Sequence, residues 1–111
     1  MNPSKELIGA STSLLVLSVL AREASYGYQI IKHINAEADG MFTWQEGTIY
    51  PILHKLEHEG KVRAQWQDAD TGRRRKYYYI TAQGRAALKT GAKEWSTLHA
   101  MLLKQREAKN G

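Results

Sequence analysis

The sequence predicts a mainly helical protein with one two-stranded β-hairpin, and three observations point to this fold class. Apolar residues recur at helical spacing in four segments of the 111-residue chain. Residues 61–67 instead alternate apolar and polar side chains, as a half-buried strand does. Turn-forming residues at 68–72 separate this strand from an aromatic-rich one at 75–80. A chain of this length forms one domain with one modest core.

The composition narrows the class of protein further. Hydrophobic residues make up 42% of the chain and charged residues 24%, as in an ordered globular protein. Cysteine is absent, which excludes disulfides, thiolate metal sites and a cysteine nucleophile, and which agrees with a cytoplasmic location. The apolar stretch at residues 14–21 is too short to cross a membrane. Arg22 and Glu23 would place charges inside any signal cleavage site, so we favour a buried helix here.

Two helices are predicted at the start of the domain. The first spans about residues 4–22 and carries a broad apolar face. Ser25 is predicted to cap the second, at about residues 26–39, which would point Tyr26 inward together with three isoleucines. The second helix should end at Gly40, because glycine readily adopts the left-handed conformation found just after helices.

A third helix is predicted after a short connector at residues 41–44. Either Thr43 or Gln45 opens it, and Gly60 ends it. Its predicted buried face consists of Ile49, Leu53 and Leu56. The strand that follows is predicted to bury Val62, Ala64 and Trp66.

The hairpin carries the positive charge of the chain. Residues 61–89 hold eight Lys or Arg and two Asp, a net charge of +6, whereas the whole chain has +5. Four adjacent cations follow the turn: Arg73, Arg74, Arg75 and Lys76. Such a run is usually a solvated surface. Here a hairpin tip beside a helix favours contact with duplex DNA, with Arg73 and Arg75 on one side of the strand and Arg74 and Lys76 on the other.

A long final helix is predicted from Thr81, which caps it, to about Ala108. Leu88, Trp95 and Leu102 recur at intervals of seven residues and form a short heptad seam. This seam could pack on the first helix of the same chain. We favour a dimer interface, because the seam extends past the compact body of the domain.

This order of elements is that of a winged helix-turn-helix followed by a dimerisation helix. We therefore predict a DNA-binding domain at residues 1–80, whose first helix also joins the dimer interface, and a C-terminal dimerisation helix at residues 81–111. The third helix would be the recognition helix, which contacts DNA mainly through its N-terminal half. On its outward face, Thr48 can reach a base edge or a phosphate, Pro51 can touch a thymine methyl group, and Lys55 adds a cation.

Three motifs resemble the PadR family of bacterial transcriptional regulators. They are SYGYQIIKHI at residues 25–34, GTIYPILHKLEHEGKV at 47–62 and GRRRKYYYIT at 72–81. The resemblance covers about residues 7–103, and the single C-terminal helix is similar to the compact branch, which includes repressors that sense drugs or other small aromatic compounds. Many members have a proline between two arginines where this chain has Arg74, which puts in doubt how the wing tip enters the minor groove.

The resemblance implies further site residues. Tyr50 and Tyr26 would contact phosphates through their hydroxyls. Trp95 would line a pocket between two subunits, where planar aromatic ligands stack, although simple dimer packing is the alternative. His99, one turn later, could tune this pocket or be an ordinary packed or solvated histidine. The first helix would supply the facing wall of the pocket through Leu7, Ala10, Ser13 and Leu14.

The predicted function is a homodimeric, sequence-specific DNA-binding regulator. It would act as a repressor on a palindromic operator in double-stranded DNA and be released by a small aromatic effector. We predict no enzyme activity, no cofactor and no membrane partner. His54 and His58 have a spacing that can hold a metal, but no further ligand is evident, so no metal is predicted. The alternative function is a winged-helix module that binds a protein and has no effector.

Overall fold

The computed structural model describes residues 4–68 and 71–110. Its elements are α1 (Lys5–Arg22), β1 (Ser25–Tyr26), α2 (Gly27–Ala38), α3 (Glu46–His58), β2 (Val62–Asp68), β3 (Arg74–Ile80) and α4 (Ala82–Asn110). The three strands are antiparallel and lie in the order β1-β3-β2. The predicted mainly helical fold with a winged hairpin and a long final helix is confirmed. Within the predicted turn, Ala69 and Asp70 lie outside the described residues.

The core surrounds the second half of α1. Ser4 caps this helix, because its hydroxyl accepts a hydrogen bond from the backbone N–H of Leu7 at 3.2 Å. The predicted buried face of α3 is confirmed, since its three apolar residues are at most 1% exposed. The buried side chains that α1, α2 and α3 bring together are Val16, Leu17, Val19, Leu20, Ile30, Ile31, Ile34, Ile49, Leu53 and Leu56. Among the described residues, none of the helices is both long and apolar enough to span a bilayer.

The start of α2 differs from the prediction. Ser25 does not cap the helix; it lies in β1, paired with Tyr78 of β3, and its hydroxyl donates to the carbonyl of Glu23 at 3.2 Å. Tyr26 is the N-cap residue instead, and its backbone N–H donates to the side chain of Gln29 at 3.4 Å. A two-residue strand is too short to produce an alternating pattern, so β1 could not be predicted from periodicity.

The hairpin is buried only where it meets the helices. In β2, Val62 is buried and Ala64 is half-buried, but Trp66 is 56% exposed, so the prediction of a buried Trp66 was wrong. The alternation is present, and all three side chains lie on one face of the sheet. The core, however, ends near the Ala64–Tyr78 pair, and the outer part of the hairpin has no apolar layer to pack against.

The final helix begins as predicted. The Thr81 hydroxyl accepts from the backbone N–H of Gly84 at 3.0 Å and donates to the carbonyl of Gly60 at 2.7 Å. Further along, Gly91 lies against Leu14 of α1, where any added Cβ would press into the leucine side chain. The later apolar residues Leu98, Met101, Leu102 and Leu103 are all exposed.

Candidate nucleic-acid interface and apolar pocket

One groove joins the predicted recognition helix α3 to the wing formed by β2 and β3. We call it the wing groove; it is lined by Tyr26, Gly27, Tyr50, His54, Trp66, Arg75, Lys76 and Tyr78. It therefore brings together two of the predicted tyrosines and two of the predicted cations. His54 also lies here, and the described residues contain no group of three or more His, Cys, Asp or Glu side chains placed to hold a metal.

The other predicted residues of α3 lie outside the wing groove. Pro51 is exposed, and Thr48 is half-buried near the start of the helix. At 100° per residue, Thr48 and Lys55 fall on the flank opposite Tyr50. Lys55 accordingly lines a different groove, between α3, α1 and α4. Base contact by Thr48 remains a prediction. Lys55 lies in the second groove and is not part of the wing groove.

Tyr50 packs directly on the start of α2. A Cβ at Gly27 would come within 2.6 Å of the Tyr50 hydroxyl, so only glycine permits this contact. Burial raises the pKa of Tyr50 above its ordinary value, and the nearby Glu46 carboxylate and Tyr78 raise this pKa further. Tyr50 is therefore a neutral hydroxyl at physiological pH and can donate a hydrogen bond to a phosphate.

Aromatic rings support the cations of the wing. The guanidinium of Arg75 lies 4.3 Å from the centroid of the Tyr26 ring, which itself meets Tyr77 edge-on at 5.5 Å. On the other face of the sheet, the Arg74 guanidinium lies 5.5 Å from the Trp66 ring. The predicted division of the cations between the two faces is thus confirmed for Arg75 and Arg74. A guanidinium stacked on a ring can still direct its N–H groups sideways toward an anion.

Two wing cations have anionic neighbours. The ammonium of Lys76 lies 3.6 Å from a carboxylate oxygen of Glu57, which ties the wing to α3. Arg74 lies 3.6 Å from the carboxylate of Asp68 across the hairpin. Both pairs are accessible to solvent and contribute little to stability, so a phosphate could replace the carboxylate at low cost.

Sequence reasoning missed one cation of this surface. Arg63 in β2 is exposed, and its guanidinium lies 4.4 Å from the Tyr79 ring, on the sheet face that also carries Arg75. The strand pattern could have predicted this placement. Arg63 follows the buried Val62 and therefore points to the opposite face of the sheet, where it pairs with Tyr79. Arg63 extends the positive surface from the wing tip toward its base.

A second surface is an apolar pocket of about 400 Å³ between α1, α4 and the connector that precedes α3. Its lining is Leu7, Ser11, Leu14, Leu15, Ser18, Phe42, Trp44, Leu88, Ala92 and Trp95. Of the predicted effector residues, Leu7, Leu14 and Trp95 therefore come together here. Ala10 and Ser13 instead line the groove of about 810 Å³ shared with Lys55, which Leu14 and Trp95 also border. His99 is exposed and lies in neither lining.

The apolar pocket offers no charge to a ligand. Its two polar side chains, Ser11 and Ser18, donate their hydroxyls to the carbonyls of Leu7 and Leu14 at 2.6 and 2.7 Å. These hydrogen bonds lie within α1 and already use the proton of each hydroxyl, so neither serine needs a hydrogen bond from a ligand. The volume lies in the range of small-molecule sites, and the lining suits an uncharged apolar group.

Seven of the ten lining residues of the apolar pocket were not predicted, and two of these come from the connector. Phe42 and Trp44 meet edge-to-face at 6.0 Å, and Trp44 is only 7% exposed. Two aromatic residues within a four-residue connector were a usable signal, since a loop that stays on the surface rarely carries them. The connector is therefore part of the pocket as well as a link between α2 and α3.

The comparisons with known proteins agree with one another. The sequence profile of the "Transcriptional regulator PadR-like family" matches residues 16–90. The transcriptional regulator YqjI of Escherichia coli is 31% identical over 71 residues, which cover 64% of this chain and 32% of that longer protein.

Solved structures extend the similarity to almost the whole chain. A transcriptional regulator from Clostridium thermocellum superposes with a TM-score of 0.82 at 30% identity, covering 90% of this chain and 97% of that one. A PadR family transcriptional regulator from Eggerthella lenta gives a TM-score of 0.78 at 32% identity, covering 92% of this chain and 87% of that one. The similarity therefore includes the wing and most of α4.

Proposed function

Because the chain belongs to the PadR-like family of transcriptional regulators, we propose that it is a homodimeric repressor, released from a palindromic operator by a small aromatic ligand. Family membership makes it a DNA-binding transcription regulator and not an enzyme. The proposal adds the repressor role, the dimer, the operator symmetry and the effector. It assigns residues 1–80 to DNA binding, with α1 also in the dimer interface, residues 81–111 to dimerisation, and the protein to the cytoplasm.

The wing groove is the observation that carries the proposed mode of DNA binding. It places the neutral Tyr50 hydroxyl of α3 beside Tyr26 and Arg75. A phosphate at this groove would receive hydrogen bonds from the tyrosines and a charge-assisted bond from Arg75. The N-terminal half of α3, with Thr48 and Pro51, would then face the adjacent major groove.

The exposed end of α4 supports the proposed dimer. Leu98, Met101 and Leu102 are each more than half exposed, on a helix that extends beyond the core. Isolated exposed leucines are common, but a row of them at helical spacing is typical of an interface. A two-fold dimer presents two recognition helices, so its operator should repeat at about one helical turn.

The apolar pocket supports the proposed effector, although it is formed within one chain, whereas the family resemblance implies a pocket between two subunits. Trp95 is 37% exposed at its edge and could stack on a planar ring. Leu7 and Leu14 of α1 complete the wall against which such a ring would lie. Because the lining is uncharged, an uncharged aromatic compound is the expected ligand class.

Selection of bound fragments from a random duplex pool, followed by footprinting, tests the proposal. We expect a two-fold symmetric site, occupied by two chains, whose affinity falls steeply with salt. Titration with a panel of uncharged aromatic compounds should quench Trp95 fluorescence and weaken operator binding. A single half-site at saturation would contradict the dimer, and salt-insensitive or absent duplex binding would favour the protein-interaction module.

A further inference from the structure

Trp44 is fixed to the body of the domain by three hydrogen bonds. The side chain of Asn35 in α2 accepts from the backbone N–H of Trp44 at 2.7 Å and donates to its carbonyl at 2.9 Å. The indole N–H donates to the hydroxyl of Thr12 in α1 at 3.2 Å. Thr12 is fully buried and donates its own proton to the carbonyl of Ile8 at 2.6 Å. We call Asn35, Trp44 and Thr12 the connector clamp.

The connector clamp lies immediately before the recognition helix. Gln45, the next residue, is the N-cap of α3, and its carbonyl accepts from the backbone N–H groups of Thr48 and Ile49 at 3.0 and 3.1 Å. The Gln45 side chain makes no capping hydrogen bond. The first turn of α3 therefore lacks the side-chain cap that often holds the start of a helix. The hydrogen bonds of the connector clamp hold the residue just before this cap position, Trp44.

The same tryptophan forms part of the apolar pocket. Its indole lines the cavity together with Phe42 from the connector and with Leu88, Ala92 and Trp95 from α4. A molecule that enters the pocket therefore contacts a side chain one residue from the cap of α3. Interior side chains are close-packed, so a displaced indole must strain or break its bond to Thr12.

We propose that Trp44 is the positioning residue of the recognition helix and that an uncharged aromatic ligand in the apolar pocket changes DNA binding through the connector clamp. This inference rests on the proposed DNA contact of α3 and on the proposed effector. It assigns the coupling to Asn35, Trp44 and Thr12, none of which lies in the wing groove. A ligand has this effect only if it favours the displaced indole over the clamped one.

The positioning role is tested without any ligand. Trp44→Phe keeps a ring but removes the N–H donor, and Thr12→Val removes the acceptor at nearly constant volume. Both should lower the ratio of operator affinity to scrambled-duplex affinity by about three- to tenfold, the effect of one hydrogen bond. Affinity for the scrambled duplex should stay unchanged, because phosphate contacts from the wing are intact.

Val19→Ala is the matched control on α1. Val19 is 2% exposed, so its truncation lowers the melting temperature by leaving a cavity. It makes no clamp bond, and the ratio of the two affinities should stay at the wild-type value. If Trp44→Phe and Thr12→Val lower the melting temperature but leave this ratio unchanged, as Val19→Ala does, the clamp is only structural and the inference is overturned.

The coupling is tested with N-phenyl-1-naphthylamine, a neutral aromatic probe that fluoresces in apolar sites. In wild type, bound probe should weaken operator binding about tenfold, within the usual range of coupling between two sites. In Thr12→Val, whose side chain is not part of the pocket lining, the probe should still bind, but its effect on operator affinity should disappear. Coupling retained in this variant overturns the inference, and so does a wild-type chain that binds no probe.

The proposed DNA contact and the proposed route through Trp44 are contradicted by different results. A wild-type chain without salt-dependent duplex binding contradicts the proposed DNA contact itself. A wild-type chain that binds the operator and responds to the probe, with a response that survives in Thr12→Val, contradicts only the route through Trp44. Coupling lost in Thr12→Val, with probe binding retained, supports both the proposed effector and the route through Trp44.

Discussion

The wing groove and the apolar pocket are both built from aromatic residues, but they use these residues in opposite ways. In the wing groove, the ring of Tyr26 lies beneath a guanidinium and keeps a charge at the surface. In the apolar pocket, Phe42, Trp44 and Trp95 surround a space that no charged side chain lines. Trp66 and Trp44 illustrate the contrast, since one is 56% exposed beside a cation and the other 7% exposed within the core.

The contrast shows that two physical forces are separated within one small domain. Attraction between the wing and a polyanion acts over a long range and weakens as salt rises. Burial of an apolar ligand acts at contact and depends little on salt. Substitutions in the wing groove should therefore change the salt dependence of DNA binding without changing ligand binding in the apolar pocket, and three experiments test this contrast.

The largest effect is expected at the end of α4, where the apolar surface continues beyond the pocket. The double substitution Leu98→Glu/Leu102→Glu should abolish the proposed dimer, because two carboxylates cannot be buried unpaired in an apolar interface. Operator affinity should fall by about 100-fold or more as two-site binding is lost. Sedimentation velocity measures the dimer, and a fluorescence titration measures the affinity.

Ser96→Glu/Ala100→Glu is the matched control for this change. It places the same two charges at the same spacing on the opposite face of the same helix, at exposed positions. This variant should remain a dimer with wild-type operator affinity. If Leu98→Glu/Leu102→Glu also stays a dimer, the interface lies elsewhere and the apolar end of α4 has another role.

An intermediate effect is expected from Arg75→Ala in the wing groove. Loss of one phosphate contact should reduce the slope of log affinity against log salt by about 0.9, for specific and scrambled duplexes alike. Probe binding in the apolar pocket should not change. Arg22→Ala, which removes an exposed arginine paired to Glu37 at 2.8 Å on another surface, should leave the slope unaltered. An unchanged slope in Arg75→Ala would place the wing away from the DNA.

The smallest effect concerns the protonation of Tyr50. Its pKa is raised in the folded protein, so the unfolded chain loses this proton first, at a pH of about 10. The contribution of Tyr50 to the free energy of unfolding is therefore fully present below that pH, and it decreases as the pH rises through the pKa of Tyr50 in the folded protein. Between about pH 9 and 11, wild type should lose more stability than Tyr50→Phe does.

Tyr28→Phe provides the comparison for this titration, because Tyr28 is 54% exposed and lies outside the wing groove. Thermal melts across the alkaline range should give this variant the same pH dependence as wild type. An identical pH dependence for Tyr50→Phe and wild type would mean that the Tyr50 hydroxyl is solvated, and that it is not the sheltered donor proposed for the phosphate.

The sequence predicted the periodic elements well and the tertiary placement of single residues less well. The buried face of α3 follows from helical spacing, and the Thr81 cap from local chemistry, so both were predictable. Trp66 was predicted as buried because alternation reveals the face of a strand but not where the core ends. Trp44 was overlooked because an aperiodic connector has no periodicity from which burial can be inferred, and only its aromatic composition indicated burial.

The effector residues show the same limit within one helix. The family resemblance implied that Leu7, Ala10, Ser13 and Leu14 of the first helix form one wall of a ligand pocket. In the structure α4 crosses α1 at Leu14, which divides this wall between two cavities. Where two helices cross depends on side-chain volumes in both of them, and the periodicity of either helix alone does not contain that information.

The crossing brings a position without a side chain, Gly91, against α1. At Gly91 the backbone of α4 approaches Leu14 so closely that an added methyl group would displace the leucine side chain. In the proposed dimer, α1 and α4 connect each DNA-binding domain to its partner. Residue 91 would then act as an internal spacer whose size sets the distance between two recognition helices. Operator spacing could thus change through a position that touches neither DNA nor ligand.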